Sequence, residues 1–152
     1  MRATTRLKNM LKENRIVVAP GAYDGLSARL VEQAGFPAVY ASGGAIARST
    51  GVPDMGLISP DEIIQRLAEM VEAVSVPVIA DADTGYGNAL TAQRAARAFE
   101  RAGVAAFHLE DQTFPKKCGH YDDKALVSMP EMVQRLHAVR DALHDYLRQH
   151  HK

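Results

Sequence analysis

The chain has one cysteine, no excess charge of either sign and no long apolar run. A single thiol excludes an internal disulfide framework and a multi-cysteine zinc site. Lys and Arg together number 18, and so do Asp and Glu, which leaves a net charge of zero. Binding to nucleic acid or to an anionic membrane through bulk charge is therefore not expected, because such proteins carry a basic excess. No stretch approaches the roughly 20 apolar residues that cross a bilayer. The opening Met1-Arg2-Ala3-Thr4-Thr5-Arg6 lacks the apolar centre of a signal peptide, so a cytoplasmic location is expected. What is present suits a globular fold. Hydrophobic residues make up 47% and charged residues 24% of 152 positions, the size of one ordinary domain.

Compact apolar runs alternate with amphipathic stretches. Ile16–Ala19, Ala38–Ala41, Val78–Ala80 and Val104–Leu109 read as buried strands. Between them lie helix patterns with identifiable starts and stops. A first short helix carries Leu7, Met10 and Leu11. Asp24 caps a helix bearing Leu26, Leu30, Val31 and Ala34, with Gly35 as its stop. Ser59 and Glu62 have capping-box spacing around Pro60, and Ser128 and Glu131 repeat that spacing around Pro130. A polar, glycine-containing loop is expected from Ser42 to about Ile58. Ala34–Tyr40 faintly resembles Ala102–His108, each a helix end turning into a strand. No linker divides the chain. Strands alternating with helices, and apolar throughout, predict a parallel α/β sheet.

Polar residues gather just after the apolar runs, at the strand ends where parallel α/β folds place their sites. Asp81 and Asp83 are two apart, so an extended chain points them the same way. Glu110 and Asp111 end the next strand. Acids placed this close raise one another's pKa unless a cation intervenes, and a hard divalent ion such as Mg²⁺ takes oxygen ligands. A lone acid after a strand more often caps a helix; the pairing on adjacent strand ends favours the metal. Tyr40-Ala41-Ser42-Gly43-Gly44 offers backbone N–H groups and a hydroxyl to an anion, or simply a tight turn. Gly85-Tyr86-Gly87 is equally ambiguous. Cys118 lies between Lys116-Lys117 and Gly119-His120, surroundings that favour reactivity over the small buried hydrophobe a lone cysteine usually is. Gly119 lets that loop move as a lid must. His108 faces the sheet interior or a helix depending on register. His137 and His144 fall on the last helix, and His150 and His151 in a solvated tail.

Four blocks together resemble the isocitrate lyase/phosphoenolpyruvate mutase superfamily, 2-methylisocitrate lyase-like enzymes in particular. They are Tyr40–Gly44, Gly51-Val52-Pro53-Asp54, Asp81–Gly87, and His108–Gln112 with Lys116–His120. The resemblance implies the N-terminal half of a TIM-type (β/α)₈ barrel, about four parallel strands with helices. It implies Mg²⁺, with Mn²⁺ as a substitute, held by Asp54, Asp81, Asp83 and Glu110, several of them through water. Tyr40, Ser42, Gly43 and Gly44 would hold the carboxylate of a small 2-keto or 2-hydroxy acid. The loop with Gly119 would close over it. Cys118 would protonate carbon as general acid, tuned by Lys117 and His120. The implied activity is a carbon–carbon lyase acting on a 2-hydroxy di- or tricarboxylic acid. Oxaloacetate hydrolase or phosphonate mutase chemistry, and a non-catalytic binding or interaction module, are the alternatives.

A complete barrel needs about 200 to 250 residues, and four strand–helix units are half of eight. Residues 1–152 are therefore expected to form one partial barrel, weak or inactive alone, that self-associates through open sheet edges.

Overall fold

The computed structural model describes residues 1–150, with side chains through Leu143. The side chains of His144, Leu147 and His150, and all of His151, lie outside the described residues. Ten elements follow in order: α1 Ala3–Lys12, β1 Gly21–Ala22, α2 Gly25–Gln33, β2 Val39–Ala41, α3 Gly43–Ser49, α4 Pro60–Ala73, β3 Val78–Asp81, α5 Ala89–Ala102, β4 Ala106–His108 and α6 Met129–His150. The four strands form one parallel sheet in the order β1-β2-β3-β4, so β1 and β4 are its two edges. Tyr40 is in register with Gly21 and Ile79, and Asp81 with His108.

Helix boundaries follow local chemistry. The Asp24 carboxylate accepts from Ser27 N–H at 2.7 Å, and the Ser27 hydroxyl closes the box by accepting from Asp24 N–H. Ser59 and Glu62 form the same reciprocal pair at the start of α4. Asn88 caps α5, and Gly103 ends it in the left-handed conformation. The third box forms only by half. Ser128 accepts from Glu131 N–H at 3.4 Å, but the Glu131 carboxylate turns to Arg135 at 2.7 Å.

Strand alternation divides the sheet into two faces. Val39, Ala41, Val78 and Ala80 are buried beneath the helices, against Ile46, Leu67, Met70 and Phe99. Phe99 anchors this layer, with the Phe107 ring edge-on at 5.6 Å and the Tyr86 ring at 6.4 Å. The other face presents Tyr40, Ile79, Asp81 and His108 and is only half-buried or exposed. His108 lies on this face, its ring 5.5 Å from that of Tyr40.

Three expectations are corrected. Ile16–Ala19 is not a strand. Pairing with β2 begins only where the Pro20 carbonyl accepts from Tyr40 N–H, and Ile16 and Val18 are exposed. The stretch after Ser42 is not all loop. Ser42 caps α3 by accepting from Ala45 N–H at 3.3 Å. On α2 the buried residue is Ala28, while Leu26 and Leu30 face outward, because the close approach to α4 selects the small side of the helix. Gly25 marks that approach: a Cβ there would stand 3.3 Å from the Ala73 Cβ.

The Asp24 cap makes a measurable prediction. Hydrogen bonds from the Ser27 backbone and hydroxyl hold its carboxyl below the ordinary value of 3.8. A depressed carboxyl stabilises the fold above its unfolded pKa, and that contribution disappears as acid titrates the folded form. Asp24→Ala is expected to cost about 1 kcal/mol at pH 7 in urea unfolding. The gap from wild type should stay constant down to about pH 4 and close below it.

Candidate metal and carboxylate site

The ends of β3 and β4 deliver the acids to one place. Asp81 is the last residue of β3, and Glu110 follows β4 by two residues. Asp83 arrives differently from the expectation. Its φ is +48°, a left-handed turn that breaks strand alternation. The turn is held by Asp83 N–H donating to Asp81 Oδ1 at 3.0 Å and by Glu110 N–H donating to the Asp83 carbonyl at 2.7 Å. One oxygen from each of Asp81, Asp83 and Glu110 lies within 4.8 Å of the other two. These three are the group, among the described residues, that could hold a metal ion.

Asp54 stands beside this group rather than within it. Lys116 Nζ lies 2.7 Å from Asp54 Oδ1 and 2.6 Å from Asp83 Oδ1, and the lysine side chain is 2% exposed. Burial works to lower the pKa of Lys116, but the Asp83 and Asp54 carboxylates outweigh it and hold the group above its usual value. The ammonium is thus a fixed positive charge. It does not suffice for its neighbours. Burial pushes the Asp83 carboxyl up to about 6, with Asp81 and Asp54 adding to the rise against the pull of Lys116. Glu110 is also raised, chiefly by burial. Tyr40 is pushed up to about 12 by burial and then by Asp81 and Glu110, so it remains a neutral phenol.

The Tyr40–Gly44 segment sits against these acids. Gly43 N–H donates to Asp81 Oδ2 at 3.3 Å, so that donor faces a protein carboxylate. At Gly44 a Cβ would stand 2.8 Å from Asp54 Oδ2 and 3.1 Å from the Arg48 guanidinium, and glycine is what lets both approach. The Ser42 hydroxyl accepts the helix cap and keeps its own proton for a further partner.

Cys118 is placed differently from the expected polar surroundings. Its side chain is buried, and its polar neighbour is His120, with Nδ1 3.6 Å from Sγ. Neither lysine flanks the sulfur. Lys116 turns inward to the acids, and Lys117 Nζ donates to the Asp123 carbonyl at 3.3 Å. Gly119 and His120 are exposed.

Residue patterns alone singled out neither the inward role of Lys116 nor that of Gln112 and Arg135. Gln112 is buried and donates to Glu110 Oε2 at 2.7 Å. Arg135 is buried on α6, an arginine flanked by apolar Met132, Leu136 and Val139, with Glu131 one turn before it. That interruption of an apolar pattern, with an acid four residues earlier, is the signal that marks it.

Known proteins share this sequence and fold. The family model for phosphoenolpyruvate phosphomutase matches residues 7–147. A 2-methylisocitrate lyase from Aeropyrum pernix is 46% identical over 141 residues, 93% of this chain and 46% of its own length. The crystal structure of 2,3-dimethylmalate lyase, a PEP mutase/isocitrate lyase superfamily member, superposes with a TM-score of 0.90 at 40% identity, over 96% of this chain and 50% of that one. Phosphonopyruvate hydrolase in complex with oxalate and Mg²⁺ superposes with a TM-score of 0.86 at 34% identity, over 93% and 48%. The chain spans about half the length of the relatives it matches, and its four parallel strands are the first half of a TIM-type barrel. On this agreement of sequence and fold, the chain belongs to the phosphoenolpyruvate mutase/isocitrate lyase superfamily.

Proposed function

We propose that this chain carries the cation-binding and proton-donating half of a Mg²⁺-dependent carbon–carbon lyase acting on a small 2-hydroxy di- or tricarboxylic acid. The observation that carries the reading is the group Asp81, Asp83 and Glu110, three acids converging, with the Lys116 ammonium paired to Asp83. An all-oxygen donor set short of positive charge suits a hard divalent cation. The hydrolase relative that binds Mg²⁺ with oxalate supports both the ion and the ligand class. Asp81, Asp83 and Glu110 would hold the ion, and Asp54 would act by fixing Lys116. When bound, Mg²⁺ supplies positive charge to the oxygens of the keto-acid portion.

The remaining steps belong to the chain's own residues. Tyr40, Ser42, Gly43 and Gly44 border the acids and would orient the substrate carboxylate, the phenol and the hydroxyl as donors. In cleavage the hydroxyl would give its proton to solvent at the open face, its oxygen would form the keto group, and the carbon–carbon bond would break with its electron pair left on the departing carbon. Cys118 would give that carbon a proton, and His120, in contact with the sulfur, would restore it. Lys117 would act on the backbone of the loop through Asp123. The buried thiol is screened from water, which suits a proton donor to carbon.

The open edges of β1 and β4, with Ile16, Val18, Leu26 and Leu30 exposed, support self-association as the way this chain covers its apolar surface. Turnover by the chain alone should be weak, because the open face of the sheet leaves the reacting carbon in water.

Three measurements test this reading. Raised carboxyls destabilise a fold as they ionise. Without divalent cation, stability should therefore fall by about 1–3 kcal/mol between pH 4 and pH 7, through the titration of Asp83 and Glu110. Asp83→Asn should flatten that slope, and millimolar Mg²⁺ should restore wild-type stability at pH 7. A flat wild-type profile unaffected by Mg²⁺ overturns the cation site. In an assay of pyruvate release from 2-methylisocitrate, activity should be low, Mg²⁺-dependent and absent in Cys118→Ser. Activity indifferent to Mg²⁺ or to the substitution rejects the lyase assignment; Mg²⁺ binding with no turnover favours the binding-module reading. The mass in solution should exceed that of a monomer, and a sharp monomer with a cooperative melt rejects self-association.

A further inference from the structure

We infer that Gln112 is a positioning residue that couples the Glu110 carboxylate to the Lys116–His120 loop, and that Arg135 is the buried post on which it is mounted. The inference rests on the cation reading above for the role of Glu110, and on geometry alone for the coupling.

The Gln112 side chain is 5% exposed, and its amide is used in three directions. Nε2 donates to Glu110 Oε2 at 2.7 Å and to the Lys117 carbonyl at 3.0 Å. Oε1 accepts from Lys117 N–H at 3.1 Å. Both amide protons and the amide oxygen are thereby committed. A single planar group thus reads the position of a cation-binding carboxylate on one side and both backbone polar groups of Lys117 on the other. Lys117 lies between Lys116, which pairs with Asp54 and Asp83, and Cys118, which carries the thiol. A displacement of Glu110 cannot leave the loop unchanged without breaking one of these bonds.

The Gln112 backbone is held separately. Arg135 is 3% exposed, and its Nη1 donates to the Gln112 carbonyl at 3.2 Å and to the Thr84 carbonyl at 3.3 Å. Thr84 follows Asp83, so one guanidinium ties the turn after β3 to the segment after β4. Its Nη2 pairs with Glu131 at 2.7 Å, which fixes the fork from its own helix. A planar fork with fixed spacing does this better than a flexible ammonium. The arrangement has the form of an outer shell: groups that do not touch the ion but orient those that do.

A purely structural glutamine would change stability alone. A positioning residue changes the loop and the acid together, and the single cysteine reports on the loop without interference. Two readouts are needed: the rate of Cys118 alkylation by iodoacetamide, and the affinity for Mn²⁺ alone, measured by electron paramagnetic resonance. In wild type, Mn²⁺ should slow alkylation. In Gln112→Met, which keeps length and loses every hydrogen bond, alkylation should speed by about tenfold or more and Mn²⁺ affinity should fall by about tenfold or more. Saturating Mn²⁺ should then no longer protect the thiol. The alkylation rate should be insensitive to low urea, the mark of local rather than global opening. Arg135→Lys keeps the charge and leaves the Gln112 side chain in place; it should shift both readouts the same way and by less. Wild-type rates and affinity in both variants overturn the inference, and so does faster alkylation that tracks global unfolding. If wild type binds no Mn²⁺, the cation reading falls, and the clamp is judged on alkylation alone: a wild-type rate in Gln112→Met rejects it.

Discussion

The ammonium of Lys116 is the charge around which this site is built. It lies between Asp54 and Asp83 at 2.7 and 2.6 Å, almost wholly out of water. Taking three charged groups from solvent costs several kcal/mol per ion, and only close geometry offsets it. Such an arrangement is a weak source of net stability but a strong source of position. Three segments far apart in sequence meet at this one nitrogen: the loop bearing Asp54, the turn after β3, and the loop that continues into Cys118. Loss of the lysine would leave two buried carboxylates facing Asp81 and Glu110 with nothing between them, the costly case of an uncompensated buried charge.

That constraint explains why the backbone around the site departs from regular geometry. Strand alternation would have aimed Asp81 and Asp83 alike. Instead Asp83 takes a positive φ, disfavoured for most side chains and tolerated by aspartate. The turn brings its carboxylate to Lys116 while its carbonyl accepts from Glu110 N–H. Gly44 does the complementary work on β2's side by having no Cβ where Asp54 and Arg48 approach. Burial, with the neighbouring Asp81 and Asp54 carboxylates adding to it, pushes the Asp83 carboxyl up to about 6 despite its lysine. If this carboxylate holds a cation as proposed, stability and cation affinity pull in opposite directions at the same residue.

How much of this could be read from residue order follows from the range of the forces involved. The caps at Asp24 and Ser59 are set within a few residues, and the structure has them where their spacing predicts. The parallel α/β architecture was legible for the same reason, since apolar runs and helix periodicity are local. Ile16–Ala19 and the Leu26/Leu30 stripe misled because burial depends on a partner. Their apolar character is real, but Ile16 and Val18 lie exposed, and α2 turns Ala28 rather than its leucines inward. The acid cluster was legible as composition, not as conformation. Which of two adjacent lysines turns inward was not legible at all, because a loop has no periodicity to decide it; only the ion pairs do.

The two faces of the sheet divide the work. The helix side holds the packed core around Phe99, Leu67 and Met70. The other face holds Tyr40, Asp81 and His108, and it is open. Under the proposed function, cation binding would need only the ends of β3 and β4 and the Lys116 loop, all contributed by one chain. Turnover would need more. A carbon bearing an electron pair long enough to be protonated by one chosen thiol would have to be kept from water, and that shielding would require a cover on the open face. Binding and catalysis would then be separable by geometry: the first a property of strand ends, the second of what closes over them.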